Sequence, residues 1–230
     1  MNRHEFTVGT LVAAVVAAGG VLGLSTARAG LTESDAAAGV RAAMERGALS
    51  AVKLLGRQDG FLGNPAVRIP LPGHLSGAAK LLRSLGQGRK VDELITAMNR
   101  DAESAMPQAQ ALLVSAVKAV SLEDALKIVR GGSTSVTDFF ANKTRVPLGE
   151  KFLPIMTKAT EKVALAERYN AVAGRAAGLG LIKGEETNIQ RFVTARALDG
   201  LYLMIGEEEK KLRADPVKTG SELLKRVFGK

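Results

Sequence analysis

Between Lys90 and Val120 the apolar residues Val91, Leu94, Met98, Ala102, Ala105, Ala109, Leu112 and Ala116 recur three or four positions apart. That spacing places them on one face of an α-helix, whereas a strand would need alternation every second residue. The same period returns between Thr32 and Leu55, through Val40, Ala43, Met44, Ala51, Val52 and Leu55. Only Val67-Arg68-Ile69-Pro70-Leu71 alternates, and Pro70 and Pro72 reduce it to an isolated extended segment. The spacing therefore predicts an all-α fold: one bundle of about seven to nine helices with a single Pro/Gly-rich connector.

Caps and breakers divide the bundle. Thr32 with Asp35 reads as a capping-box-like start, and Gly56 stops the first helix. Residues 74–85 form a short helix ended by Gly86 and Gly88, and the long helix over 90–120 must kink or split at Pro107. Ser121 with Asp124 caps the next helix, which stops at Gly131-Gly132. Ser133 or Ser135 begins a helix carrying Phe139 and Phe140, and 148–163 read as another, bent or restarted at Pro154. Leu165–Ala177 follow, ended by Gly178 and Gly180. Thr187 with Gln190 caps a helix to about Arg213, and 217–228 close the chain. Gly39, Gly47, Gly174, Gly200 and Gly206 lie inside helices at a cost of up to about 1 kcal/mol each, which marks places where helices cross closely.

The N-terminus has a short charged start, an apolar run from about Phe6 to Leu24, and then Thr26-Ala27-Arg28-Ala29-Gly30. Small residues at Ala27 and Ala29 match the pattern read by signal peptidase. Residues 1–29 are thus expected to be a signal peptide cleaved after Ala29. That leaves residues 30–230 as one helical domain in the periplasm without a stable transmembrane anchor; an uncleaved anchor is the competing reading. No Cys occurs, which excludes disulfides, thiol catalysis and a lipid-modified cysteine. With 4% aromatic residues and no Trp, the core must be built from Leu, Val, Ala and Met. The formal charge is +9, and loss of Arg3, Arg28 and Glu5 lowers it by one, to +8. The basic residues are scattered. Behind a signal peptide their expected counter-charges are lipid headgroups or envelope polymers rather than nucleic acid.

The stretches LLGRQDGFLGNPAVRIPLP, MNRDAESAMP, EKFLPI and ALDGLYLMIGEEEKKLRADP, in that order behind the N-terminal run, carry a resemblance. Together they resemble the bacterial family called domain of unknown function 4197, across nearly all of residues 30–230. The resemblance implies an exported, mostly helical protein with no assigned activity, and it supplies no catalytic residues.

Chemistry-bearing motifs are sparse. Beyond residue 29 there is one His, His74, with Ser76 nearby, but neither G-x-S-x-G nor a preceding strand accompanies them. The glycine clusters at 56–63, 86–88 and 178–180 follow no strand and lack a closing G-K-[ST], so they read as turns and caps rather than phosphate loops. Asp59, Asn64 and Asp92 lack the alternation of a calcium loop. No metal site and no cofactor are expected.

The acidic run Glu207-Glu208-Glu209 is more telling. On a helical wheel Glu209 falls on the apolar arc with Leu198, Tyr202, Ile205 and Leu212; Glu208 lies at its edge, and Glu207 faces away toward Lys211. A carboxylate at a core edge requires a cation or hydrogen-bond donors, and Arg68, Arg100 and Lys158 are the candidate partners. The opposing reading is a buried acid acting in catalysis.

Residues 58–73, QDGFLGNPAVRIPLPG, are too apolar and too proline-stiffened for a mobile loop. They are expected to pack on the helices, burying Phe61 and Ile69 and sending Arg68 toward Glu208. A ligand site is expected beside this connector, where Asn64 and Arg68 meet Asn99 and Arg100. The functional expectation is a non-catalytic envelope module that binds an apolar or anionic ligand, such as lipid or an anionic envelope component, or a protein partner. A carboxylate-dependent hydrolase using Glu208 and Glu209 is the alternative.

Overall fold

A computed structural model describes residues 32–160, 166–167, 169–171, 178 and 188–215. The signal-peptide region, the Thr187 cap, most of the helix expected over 165–177 and the helix expected over 217–228 lie outside the described residues, as do Gly174, Gly180 and the side chain of His74. Gly178, read as a breaker, is itself helical.

The described residues form six α-helices and one short 3-10 turn, with no strand among them. The helices are α1 (Glu33–Leu55), α2 (Ser76–Ser84, after the turn Gly73–Leu75), α3 (Gly88–Lys118), α4 (Leu122–Arg130), α5 (Ser135–Thr160) and α6 (Ile189–Ala214). The class is all-α, as expected; within the described residues the helix expected from Ser133 or Ser135 and the one expected over 148–163 are a single helix, α5. Pro107 sits inside one unbroken α3, and Pro147 and Pro154 both sit inside one unbroken α5. Each proline removes one backbone donor. Pro107 and Pro154 face solvent and Pro147 is half-buried, so water can satisfy carbonyls left unpaired on the exposed side.

Several caps follow the sequence closely. Ser121 and Asp124 form a reciprocal capping box before α4, and the bond from Ser121 holds the Asp124 carboxyl below its ordinary range. At α6 the N-cap is Asn188, whose side chain accepts the Arg191 amide. Asn170 reinforces that end by accepting the Ile189 amide at 2.8 Å and donating to Gln190 at 2.9 Å.

The layers are simple. α5 packs on both α3 and α6; α1 lies against α3, α6 and α4; α2 rests on α3. Core filling follows the helical stripes, with Met44, Leu55, Leu94, Met98, Met106, Leu113, Phe140, Leu148, Phe152 and Met156 fully buried. The buried face of α3 drifts along its length, so Leu113 and Val117 are buried where Leu112 and Ala116 were expected. An ideal helix advances by 3.6 residues per turn, and a stripe extended by fixed steps leaves the core within a few turns.

Candidate functional site

The connector over residues 58–73 packs as expected: Phe61 and Ile69 are fully buried and Val67 nearly so, while Arg68 is exposed. It is a sequence of turns up to Arg68, whose amide bonds the Asn64 carbonyl, and it is extended only beyond. Asp59 takes a left-handed φ of 63°, a conformation Asp tolerates better than most residues. A Cβ on Gly60 would lie 2.4 Å from the Leu55 carbonyl oxygen, so only glycine allows the chain to fold back on α1.

Side chains of α3 hold this connector by its backbone. Asn99 accepts the Ile69 amide at 2.8 Å and donates to the Ile69 carbonyl at 2.9 Å, acting as a one-residue substitute for a neighbouring strand. One turn on, Glu103 Oε1 accepts the amides of Phe61 and Leu62 at 3.0 and 3.1 Å. Arg100 pairs with the other Glu103 oxygen at 2.7 Å and with Asp59 at 2.9 Å. Buried backbone groups must find partners, and a proline-rich segment cannot supply its own.

Of the four residues expected to line a ligand site beside the connector, Asn99 and Arg100 are engaged by the connector itself. Asn99 and Arg100 do meet residues 58–73, but they bind Ile69 and Asp59. Asn64 turns inward on its own loop, accepting the Ala66 amide. Arg68 does not reach Glu208; its charge instead helps to hold Asp92 in the charged form, after the dominant bond from Arg83.

At the other end of the bundle Glu209 is 4% exposed, as its place on the wheel foretold. Its partners differ from those expected. Arg68, Arg100 and Lys158 are not among them; Arg213, one turn along α6, pairs with it at 2.9 Å. The remaining acceptor positions take the amides of Val136 and Thr137 at 3.1 and 3.2 Å and the Thr137 hydroxyl at 3.2 Å. Glu209 therefore caps the N-terminus of α5 from another helix, where the first amides have no intrahelical partner and the helix dipole favours a carboxylate. Glu208 is bound by Ser50 of α1 and by Lys211; Glu207 pairs with Lys210 rather than Lys211.

Three glycines mark close approaches, though not all between helices. A Cβ on Gly47 would touch Glu208 across the α1/α6 contact, and one on Gly206 would lie 3.2 Å from the Thr137 hydroxyl across α5/α6. Gly200 instead receives the connector: its Cβ would lie 2.7 Å from the Phe61 ring.

Two open clefts stand out among the described residues. One, of about 580 Å³, lies between α1 and the end of α6 and mixes Arg46, Ser50, Glu208, Lys211 and Asp215, so that its charges largely answer one another. The other, of about 410 Å³, runs between α5 and α6. Gly149 and Leu153 from α5 and Ala195 and Leu198 from α6 make its apolar body, and Arg145 and Arg191 stand beside them. Arg145 pairs with Asp199 at 2.9 Å and lies over the Tyr202 ring at 5.0 Å. Thr194, also in the lining, has a buried hydroxyl without a hydrogen-bond partner.

Sequence reading missed this cleft and two buried acids. Arg145, Gly149 and Leu153 share one stripe of α5, and Arg191, Ala195 and Leu198 one stripe of α6, but only the pairing of the two helices makes a groove of them. Glu103 was passed over in favour of Arg100. Asp101 is buried on α3 with one carboxyl oxygen unpartnered, and burial pushes its pKa up to about 7. A wheel would have flagged it, since Asp101 falls within about 20° of Leu94.

Among the described residues no group of three or more His, Asp or Glu side chains is placed to hold a metal ion, and no helix is long and apolar enough to cross a membrane. No curated protein and no solved structure matches the chain. Residues 30–229 match the family described as "Protein of unknown function (DUF4197)", and the chain, which carries that family's pattern over nearly its whole length, belongs to it.

Proposed function

We propose that the chain is an exported cell-envelope protein that binds rather than catalyses, and that its ligand is an amphiphile with an anionic head and an apolar body, seated between α5 and α6. The observation that carries this reading is the α5/α6 cleft, where an apolar stripe lies beside Arg145 and Arg191 and the Thr194 hydroxyl has no partner. Arg191 is exposed at the start of α6, where the positive end of the helix dipole favours an anion. Export rests on the apolar run before Ala27-Arg28-Ala29, and mass analysis of the periplasmic protein is expected to find Gly30 at its N-terminus.

The hydrolase alternative has no comparable support. Both oxygens of Glu209 are engaged by backbone amides and Arg213, and Glu208 is engaged by Ser50 and Lys211. Glu209 faces no open position where a substrate proton would sit, and Glu208, which lines the cleft between α1 and α6, is held there by Ser50 and Lys211.

Isothermal titration with dodecanoate and dodecyl phosphate tests the binding reading. Both are expected to bind. Arg191→Glu is expected to weaken binding by roughly tenfold or more, the value of a hydrogen bond to a charged group. Gly149→Leu, which fills the groove, should abolish it. Failure of both probes to bind, or equal affinity in all three proteins, would overturn the proposal. Native mass spectrometry of protein purified without detergent then identifies any ligand carried from the cell.

A further inference from the structure

The tip of the α2/α3 hairpin is built unlike the rest of the surface. Leu81 on α2 is 60% exposed and Leu85, the residue that caps its end one turn later, is 63% exposed, while Ala79 and Leu82 are half-buried. The apolar arc of α2 is therefore wider than α3 can cover. Between residues 80 and 90 the chain carries Lys80, Arg83, Arg89 and Lys90 and no acid. Arg83 and Arg89 are answered by Asp92 and Glu93 on α3. Lys80 has no ion-pair partner among the described residues, and Lys90 reaches only the Gln87 amide oxygen. Gly86, with φ of 74°, turns the chain tightly enough to bring the two leucines and the basic residues to one end.

We propose that this tip docks on a bilayer surface carrying anionic phospholipid headgroups, with Leu81 and Leu85 entering the headgroup boundary and Lys80 and Lys90 meeting phosphates. Exposed apolar side chains beside a basic polar face are what an interfacial helix requires. Charge decides the occupant. A second copy seated on this face would bring Lys80 and Lys90 against their own equivalents, whereas an anionic surface neutralises them. The inference stands on α2 and α3 alone and is independent of the α5/α6 cleft.

The absence of cysteine allows a local test, because a single introduced thiol reports one position. The full chain carrying Ser84→Cys or Lys118→Cys is labelled with an environment-sensitive nitrobenzoxadiazole dye; Ser84 ends α2 just before α3 begins and Lys118 is the far end of α3, a helix about 45 Å long. Phosphatidylglycerol-containing vesicles should shift the Ser84→Cys dye to the blue and leave the Lys118→Cys dye unchanged, and pure phosphatidylcholine vesicles should shift neither. Adding Leu81→Ser and Leu85→Ser should remove the shift without changing the melting temperature. Lys80→Glu with Lys90→Glu should weaken vesicle binding by at least roughly tenfold, since each basic residue near such a surface is worth about fivefold. No shift at residue 84, equal shifts at both sites, or an equal response to both vesicle types would overturn the proposal. A concentration-dependent shift without vesicles would overturn it in favour of self-association.

Discussion

Three buried polar side chains do work that the backbone cannot do for itself. Asn99, Glu103 and Glu209 each bind main-chain groups of a segment distant in sequence, and each is nearly or fully inaccessible. Removing such a carboxylate leaves its donors unsatisfied in the interior. Glu209→Ala is therefore expected to cost roughly 3–5 kcal/mol, because it removes the anion that faces Arg213 and leaves the first amides of α5 without their acceptor. Glu207→Ala, which removes only an exposed pair with Lys210, should change stability little. Thermal unfolding of both variants measures the difference, and equal melting temperatures would contradict the assignment. Asp101 is the opposite case: burial raises its pKa to about 7, with no described partner to offset it. The folded state thus holds this proton more tightly than the unfolded chain does, so stability falls as pH rises from the ordinary carboxylate range to about 7. Asp101→Asn is expected to flatten that decline and to be more stable than the parent above pH 7, by a few kcal/mol at most at about 1.4 kcal/mol per unit. Urea unfolding at a series of pH values checks it; parallel curves for the two proteins would exclude Asp101 as the cause.

Among the elements, the helices were legible and their joints were not. Local spacing identified α1, α2, α3 and α4 because each buries one continuous stripe, and Ser121 and Gly56 marked their ends. The break expected before residue 148 and the restart allowed at Pro154 are absent because proline's cost is local, and the packing of α5 on α3 and α6 outweighs it. Partners were harder still. The wheel placed Glu209 inside, but no property of one helix reveals that its carboxylate meets the end of another. Gly200 shows the same limit: it was read as a helix crossing and is the seat of Phe61. Its substitution tests that seat. In Gly200→Ala the new methyl would sit 2.7 Å from a buried ring, so Phe61 must move and the connector with it, at roughly 1–3 kcal/mol. Gly77→Ala, on α2 with open space around it, should be neutral or stabilising by up to about 1 kcal/mol. Denaturant midpoints that move together in the two variants would refute the contact.

Across the whole molecule the connector is the piece that makes distant helices depend on one another. It leaves the end of α1, drops Phe61 against Gly200 of α6, is held by Glu103 and Asn99 of α3, and then hands the chain to α2. A loop held by surface contacts would open by itself, and its amides would exchange through small local fluctuations. Here the amides of Phe61 and Ile69 are buried and bonded to side chains that stand on α3, itself buried on several sides. Freeing either amide requires α3 to part from the connector, which disturbs the contacts of Phe61 and Ile69 with the common core. The expectation is that these two amides exchange only with global unfolding, at the same free energy as interior amides of α3 and α6 such as those of Ala102 and Leu201. Asn99→Ala should separate the two processes, letting the Ile69 amide exchange by local opening while the helices keep their protection. Native-state hydrogen exchange across low denaturant concentrations reads both. Fast, denaturant-independent exchange at Phe61 and Ile69 in the unaltered protein would mean that the connector is an independent loop after all.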